Sequence, residues 1–331
     1  IVVAAGSRAV LPPVPGIDSS KVYTNDNVMR MDELPARMVV IGGGVIAAEF
    51  SHVFSAFGTE VTQLNRSSRL LRGVDEEVVA RFEEAASKQW NIVKDASLSE
   101  IRENADGSVT VVAKHTTENG EELLEIPADA VLVATGRRPN TDTLNAKNYF
   151  DVQDGGQLSV DKYQRVLYNG APVPGVYALG DVSSRYQLKH VANHEARVVQ
   201  HNLSHPEDLR ASDHRYVPAA VFSNPQIAVV GMTEEQARQA AEREGFEITV
   251  KAQNFGDTAY GWAMEDKIGL CKLIARKDNG ELLGAHLVGE ESSVLIQPLL
   301  QAMSFGMDAR TLARGQGAGD LVREVHVTGC V

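Results

Sequence analysis

Apolar positions near the start of the chain change period twice within thirty residues. Positions 38–41 form a short continuous apolar run ended by three glycines, which predicts a buried strand. Ile46, Phe50, Val53, Phe54 and Phe57 then recur at helical spacing, and Gly58 supplies a stop. A second strand over 60–64 completes strand, glycine turn, helix, strand: the βαβ unit. Asp75 reads as the N-cap of another helix, with Val78, Val79, Phe82, Ala85 and Ala86 on one face.

The pattern then turns to alternation. Asp106-Gly107 and Asn119-Gly120 are turn pairs between short strand-like runs, predicting a β-meander. Uninterrupted apolar strands are expected at 130–134 and 175–179, the second ending at Gly180-Asp181, as in a sheet covered on both faces. A helix over about 188–203 follows. Beyond Asp213 the reading is antiparallel sheet and helix. Thr233 and Gln236 form a capping box, Asn279-Gly280 joins strands at 270–276 and 282–288, and a long apolar helix near 294–305 is interrupted by Pro298. No internal repeat or low-complexity tract is visible.

Composition narrows the partners. Among 331 residues, 43% are hydrophobic, and 32 Lys and Arg face 44 Asp and Glu, a formal charge of -12. Such an acidic surface repels phosphate backbones and anionic lipid, so neither nucleic acid nor membrane is expected. No apolar run reaches bilayer length, and no signal segment opens the chain. The first residue is Ile1, in an apolar strand, so the chain reads as a fragment. Cys271 and Cys330 stand far apart in no CxxC-like spacing. Cys271 reads as a small core residue of a strand, and cysteine poverty fits a reducing cytoplasm.

The run Gly42-Gly43-Gly44-Val45-Ile46-Ala47 follows a strand and opens an amphipathic helix. In such a dinucleotide fingerprint Gly42 permits the tight turn, Gly44 lets the backbone approach a pyrophosphate, and Ala47 keeps helix and sheet close. The helix N-terminus offers free N–H groups to the phosphates. The bland alternative is a merely tight strand–helix turn. At the end of the second strand a site for NAD carries Asp or Glu. Here Arg66, Arg69 and Arg72 occupy the loop, without a carboxylate between them. Arginine suits the 2′-phosphate of NADPH; the alternative is a solvated basic loop. His190 and His194 share a helix face, but Val191 stands where a zinc HExxH motif has Glu, so no metal site is expected.

Two strand ends extend the picture. Ala134-Thr135-Gly136-Arg137-Arg138-Pro139 and Tyr177-Ala178-Leu179-Gly180-Asp181-Val182 resemble the paired signatures of the flavoprotein disulfide reductases, a family that includes glutathione, mycothione, dihydrolipoamide and mercuric reductases. The opening Val3-Ala4-Ala5-Gly6-Ser7-Arg8 and the segment 12–16 resemble the chain leaving that family's FAD domain. Segments 186–197, 260–266 and 295–306 are most similar to the mycothione reductase branch. The resemblance implies FAD and NADPH as cofactors, a small-molecule disulfide substrate and a homodimer. It implies that Gly136 lies beside the nicotinamide nucleotide and Glu49 near the nicotinamide. It implies that Gly180 and Asp181 meet the ribityl chain of FAD, and that Gln187, Leu188, Lys189 and His190 line the flavin.

Parts of the family's machinery have no counterpart in these residues. The first FAD glycine motif and the CxxxxC dithiol are not in this chain, and the tail lacks the family's His-Pro. His326 follows Glu324 instead of preceding it, so no catalytic residue is assigned and the chain itself is expected to be inactive. The expected fold class is α/β: a Rossmann-type domain with a β-meander, the remainder of an FAD domain, and an α+β dimerisation domain. The expected boundaries are 1–28 and 143–212 for the FAD portions, 29–142 for NADPH and 213–331 for dimerisation. Two alternatives stand: a dihydrolipoamide dehydrogenase or mercuric reductase relative, and a non-catalytic nucleotide-binding, dimerising module.

Overall fold

The computed structural model describes residues 1–314. The chain forms two compact units that interleave along the sequence: Ile1–Val10 with Gly136–His214, and Leu11–Thr135 with the described residues from Arg215 on.

In the larger unit the βαβ reading is realised at Arg37–Ile41, Val45–Ala56 and Glu60–Leu64. The parallel sheet runs Val22–Tyr23, Ala130–Val133, Arg37–Ile41, Glu60–Leu64, Asn91–Val93. Strand period explains its position between two layers. Met38, Val40, Ala130 and Leu132 join a core with Ala47, Phe54, Val78, Val79 and Phe82 of the helices. Val39, Ile41, Val131 and Val133 point the other way, into a core shared with Ile101, Val109, Val111 and Ala128. Those last residues belong to the antiparallel meander Ala96–Glu103, Val109–Thr117, Gly120–Ala128. Continuous apolar strands are needed because both faces are covered.

The chain leaves Arg37–Ile41 toward Glu60–Leu64 on one side, while Ala130–Val133 returns on the other. That reversal is a topological switch point, where open α/β sheets bind ligands beyond the strands' carboxyl ends.

A five-stranded antiparallel sheet, ordered Ala219–Val221, Gln226–Gly231, Leu282–Gly289, Leu270–Arg276, Ile248–Asn254, completes the larger unit. Val221, Ile227, Leu270 and Val288 extend the helix-side core. Cys271, Leu273 and Leu287 face Leu299, Ala302 and Met303 on its other side. The expected capping box is formed, with Thr233 and Gln236 bonding each other's backbone at the start of Glu234–Glu244. The interruption expected in the helix over 294–305 divides it into two, Ser292–Leu295 and Gln297–Ser304. Pro298 lies in the first turn of the second, where its missing N–H costs nothing and its fixed φ starts a helix.

One polar cluster lies inside this apolar frame. Lys272 Nζ stands 2.9 Å from Asp75 Oδ1, 3.1 Å from Glu77 Oε2 and 2.7 Å from Glu234 Oε2. Asp75 caps two helices at once, accepting from Glu77 N–H on Oδ1 and from Glu234 N–H on Oδ2. The side chains of Lys272 and Asp75 are only 4% and 2% exposed, so each needs the other's charge. Burial pushes the Asp75 carboxyl up, but the Glu234 N–H and the Lys272 ammonium hold it below its ordinary value.

The smaller unit packs Leu158, Val166, Val176, Ala178 and Val182. Its Ala171–Ala178 strand pairs with Val2–Val3 in parallel and with Arg165–Tyr168 antiparallel. Only the last three residues of that strand, Val176, Tyr177 and Ala178, are buried. The helix expected over 188–203 is Lys189–Ser204.

Candidate functional site

Three glycines end the Arg37–Ile41 strand, and the first two are sterically required. Gly42 has φ +140°, and a Cβ there would lie 2.3 Å from Ala134 O. A Cβ on Gly43 would lie 2.3 Å from Asn65 Oδ1. Gly44 differs: it is the N-cap of Val45–Ala56 with no side-chain cap, and a Cβ there would meet nothing within 4 Å. Open space over an uncapped helix N-terminus suits an anion approaching the backbone. Ala47 is fully buried against the sheet, while Val45 is exposed and Ile46 half-buried in the first turn.

The turn is fastened to the next strand by polar groups that sequence reading passed over. Gly42 N–H donates to Leu64 O at 2.8 Å. Gln63 Nε2 donates to Gly42 O at 2.9 Å, and Trp90 Nε1 to Gln63 Oε1 at 2.9 Å. Asn65 Nδ2 donates to Ser67 O and Arg69 O, at 2.7 and 2.9 Å. Leu71 N–H closes the loop on Gly43 O at 2.7 Å. The available signal was two buried polar residues, Gln63 and Asn65, at the end of an apolar strand, since buried polar groups must find partners.

Within this pinned loop the three arginines have different roles. Arg69 Nη2 donates to Arg72 O at 3.1 Å and to Val74 O at 2.9 Å. It braces the loop through Nη2, which sets it apart from Arg66 and Arg72, the two arginines expected to bind cofactor. Arg66 and Arg72 are exposed, and Arg72 uses its Nε on Ser67 Oγ at 3.1 Å. Glu49, on the helix after the glycines, accepts from Phe222 N–H at 2.9 Å. Burial pushes its carboxyl above the ordinary glutamate range despite that bond.

The remaining expected residues belong to the smaller unit. Gly136 has φ +138° and accepts from Val10 N–H at 3.0 Å. Asp181 Oδ2 accepts from Ser7 Oγ at 2.7 Å, and Arg137 donates to Ser7 Oγ and Ser7 O at 2.8 and 2.7 Å. Gly180, at φ +71°, donates its N–H to Glu195 Oε2 at 2.7 Å. Glu195 is almost wholly buried, and burial raises its carboxyl above the ordinary value. His214 Nε2 lies 3.1 Å from Glu195 Oε1 without the angles of a hydrogen bond. Glu195 and Ser7 were missed in the sequence; no local pattern marks them, because their partners lie 15 and 174 residues away. Gln187 takes φ +50°, and Leu188 is the uncapped N-cap of the helix whose exposed first turn carries Lys189 and His190. His194 Nε2 accepts from Asp213 N–H at 3.2 Å.

Cys271 is 1% exposed in an interior strand of its sheet, a core residue as expected. Cys330, His326 and Glu324 lie outside the described residues. Among the described residues no helix is long and apolar enough to cross a membrane.

Comparison with known proteins gives a consistent result. Residues 1–196 match the family model for pyridine nucleotide-disulphide oxidoreductases, and residues 217–318 match that family's dimerisation domain. Mycothione reductase of Mycobacterium tuberculosis is 49% identical over 321 residues, covering 96% of this chain and 66% of that protein. Dihydrolipoyl dehydrogenase of Synechocystis sp. is 33% identical over 314 residues, with 95% and 66% covered. The chain thus spans just under two thirds of the length of these relatives. Among solved structures, the HOCl-induced flavoprotein disulfide reductase RclA of Escherichia coli superposes with TM-score 0.84 at 28% identity, covering 98% of this chain and 72% of that one. LpdA of Mycobacterium tuberculosis shares the fold, at TM-score 0.83 and 23% identity, with 99% and 68% covered. A glycine turn at a switch point, the two strand-end signatures and family matches to both parts of the chain lead to one conclusion: the chain belongs to the pyridine nucleotide-disulphide oxidoreductase family.

Proposed function

We propose that the chain holds NADPH on the larger unit and contributes part of an FAD site on the smaller one, within a homodimeric disulfide reductase that acts on mycothione. The observation that carries the cofactor choice is the pair Arg66 and Arg72, exposed on a loop whose backbone is tied to Gly43. Pyrophosphate would rest on the uncapped N-terminus at Gly44, Val45 and Ile46, with Gly42, Gly43 and Ala47 shaping the approach. Arg66 and Arg72 would take the 2′-phosphate, Glu49 would stand near the nicotinamide, and Gly136 would lie beside the nucleotide. Asp181 would bond the ribityl chain of FAD; Gly180 and Gln187 to His190 would border the flavin. When bound, NADPH supplies a hydride and FAD accepts it. The protein's part is to orient the two and keep competing reactions out. The 49% identity to a mycothione reductase supports mycothione as the disulfide, and the match to the dimerisation domain supports the homodimer.

Titration of the purified chain with each reduced cofactor, followed by nicotinamide fluorescence, tests this reading. NADPH should bind about ten-fold more tightly than NADH or better, from charge-assisted bonds to the extra phosphate. Equal affinities would refute the assignment. A second expectation concerns turnover. Disulfide reduction requires a dithiol between flavin and substrate, and these 331 residues hold only Cys271, in a sheet, and Cys330. NADPH should therefore be bound but not consumed when mycothione, glutathione disulfide or lipoamide is added to this chain. Steady NADPH oxidation dependent on any of them would overturn that expectation.

A further inference from the structure

One side chain in the parallel sheet is not explained by packing. Gln63 is 0% exposed in the Glu60–Leu64 strand, where a sheet covered on both faces takes apolar residues. By strand alternation it shares the face of Val61, toward the core that holds Met38, Val40, Phe82 and Trp90. Leucine would fill much the same space without taking an amide out of water. Both halves of the Gln63 amide are used instead. Oε1 accepts from Trp90 Nε1 at 2.9 Å, and Nε2 donates to Gly42 O at 2.9 Å. Trp90 is itself 4% exposed and set against Phe82, with ring centroids 6.2 Å apart, so the donor that orients Gln63 is fixed by packing.

The second of these bonds acts on the glycine turn. Gly42, at φ +140°, lies just past the Arg37–Ile41 strand. Its N–H still reaches Leu64 O, but among the described residues its carbonyl receives no backbone N–H. In a planar trans peptide the C=O and the following N–H point in opposite directions. Holding Gly42 O toward buried Gln63 therefore directs Gly43 N–H away from the core, and no partner for that N–H is found among the described residues. The next residue, Gly44, is the uncapped N-cap of Val45–Ala56, with open space over it. The plane of the Gly42–Gly43 peptide thus sets the direction in which the chain enters the anion-binding end of the helix. Three successive glycines bring no side chain to hold that plane and wide backbone freedom to lose it. The restraint has to come from a neighbouring strand, and Gln63 supplies it.

We propose that Gln63 is a positioning residue for the pyrophosphate of the bound dinucleotide: through Gly42 O it fixes the first peptide of the glycine turn, while Trp90 keeps its amide from turning over. The proposal rests on the nucleotide site assigned above, but its effect differs from that of Arg66 and Arg72. Those arginines separate NADPH from NADH, whereas the glycine turn meets the pyrophosphate that both share. Gln63→Leu should weaken NADPH and NADH alike, about three- to ten-fold, the worth of one net hydrogen bond, with the ratio between them kept. Adenosine 2′-monophosphate, which has the 2′-phosphate and no pyrophosphate, should compete with unchanged affinity. The single variant strands Trp90 Nε1 without its acceptor, so the double variant Gln63→Leu, Trp90→Phe should regain part of the stability to urea. Its cofactor affinity should stay as low as in the single variant. Val78→Ala, a cavity in the same core, should lower stability and leave affinity at the parent's value. Affinity that recovers with stability in the double variant, or that falls in Val78→Ala as well, would reduce Gln63 to a core residue and overturn the proposal. So would a fall confined to NADPH, or an equal fall for adenosine 2′-monophosphate. A parent chain that binds neither dinucleotide would overturn the nucleotide site and this assignment with it. A parent that prefers NADPH, beside Gln63 variants of undiminished affinity, would overturn this assignment alone.

Discussion

Replacing Lys272 by methionine is expected to lower the unfolding free energy of the larger unit by about 3–5 kcal/mol, a large part of the margin of an ordinary domain. The reason is not the loss of an attractive pair in itself. Lys272 is the cation for Asp75, Glu77 and Glu234, and without it the Asp75 carboxylate stays buried with its charge uncompensated. Methionine keeps most of the side chain's length and apolar stem, so packing changes little. Urea denaturation followed by Trp fluorescence is a direct reporter, because Trp90 lies in the same core as Phe82 and Leu270. The pH dependence follows from the sign of the Asp75 shift. Its folded-state pKa is depressed, so its contribution is present above the ordinary aspartate value of about 3.9 and is lost as pH falls through the lower folded value. The gap between parent and variant should therefore narrow in acid. Adding Asp75→Asn to Lys272→Met removes the stranded charge and should recover part of the loss. A single variant within about 1 kcal/mol of the parent at neutral pH would show that water or a neighbour relieves the buried carboxylate.

Removal of Arg66 and Arg72 should have the second large effect, on binding and not on stability. Each charge-assisted bond to a phosphate is worth about 1.5–3 kcal/mol, so the double alanine variant should lose about ten-fold or more in NADPH affinity per arginine. NADH affinity should remain nearly unchanged, because the turn, the helix N-terminus and Ala47 are untouched. Arg69→Ala is the informative contrast. Its guanidinium braces Arg72 O and Val74 O, so its loss should loosen the loop and weaken both cofactors together. A ratio of NADPH to NADH affinity that falls only in Arg69→Ala, and not in the double variant, would exchange the assigned roles.

Much of the frame was legible in the sequence because its rules are local. Val78, Val79, Phe82, Ala85 and Ala86 repeat at helical spacing and are the buried face of Glu76–Ala86, with Asp75 as its cap. Thr233 and Gln236 close a capping box through atoms three residues apart. Asn279-Gly280 sits between strands that pair as expected. The glycine turn was legible for the same reason, since a positive φ beside a neighbouring strand admits only glycine. The break in the helix over 294–305 was legible from Pro298, but a proline can kink one helix or start a second, and the sequence does not separate the two.

Tertiary structure alone decided the rest, and the common cause is sequence distance. Lys272 and Asp75 are 197 residues apart, and nothing near Asp75, which reads as a helix cap, points to Lys272; only the antiparallel sheet's packing on the helices puts them out of water together. Arg69 and its two arginine neighbours are chemically equivalent in the sequence, and the turn of the loop from Leu64 to Val74 decides which fork meets backbone carbonyls and which meets solvent. Periodicity and turn chemistry are written in neighbouring residues, so the chain determines its helices, strands and glycine turn from sequence alone. Burial of charge, the pairing of distant polar groups and the shape of a cavity depend on which surfaces the fold brings together, so only the folded chain could decide them.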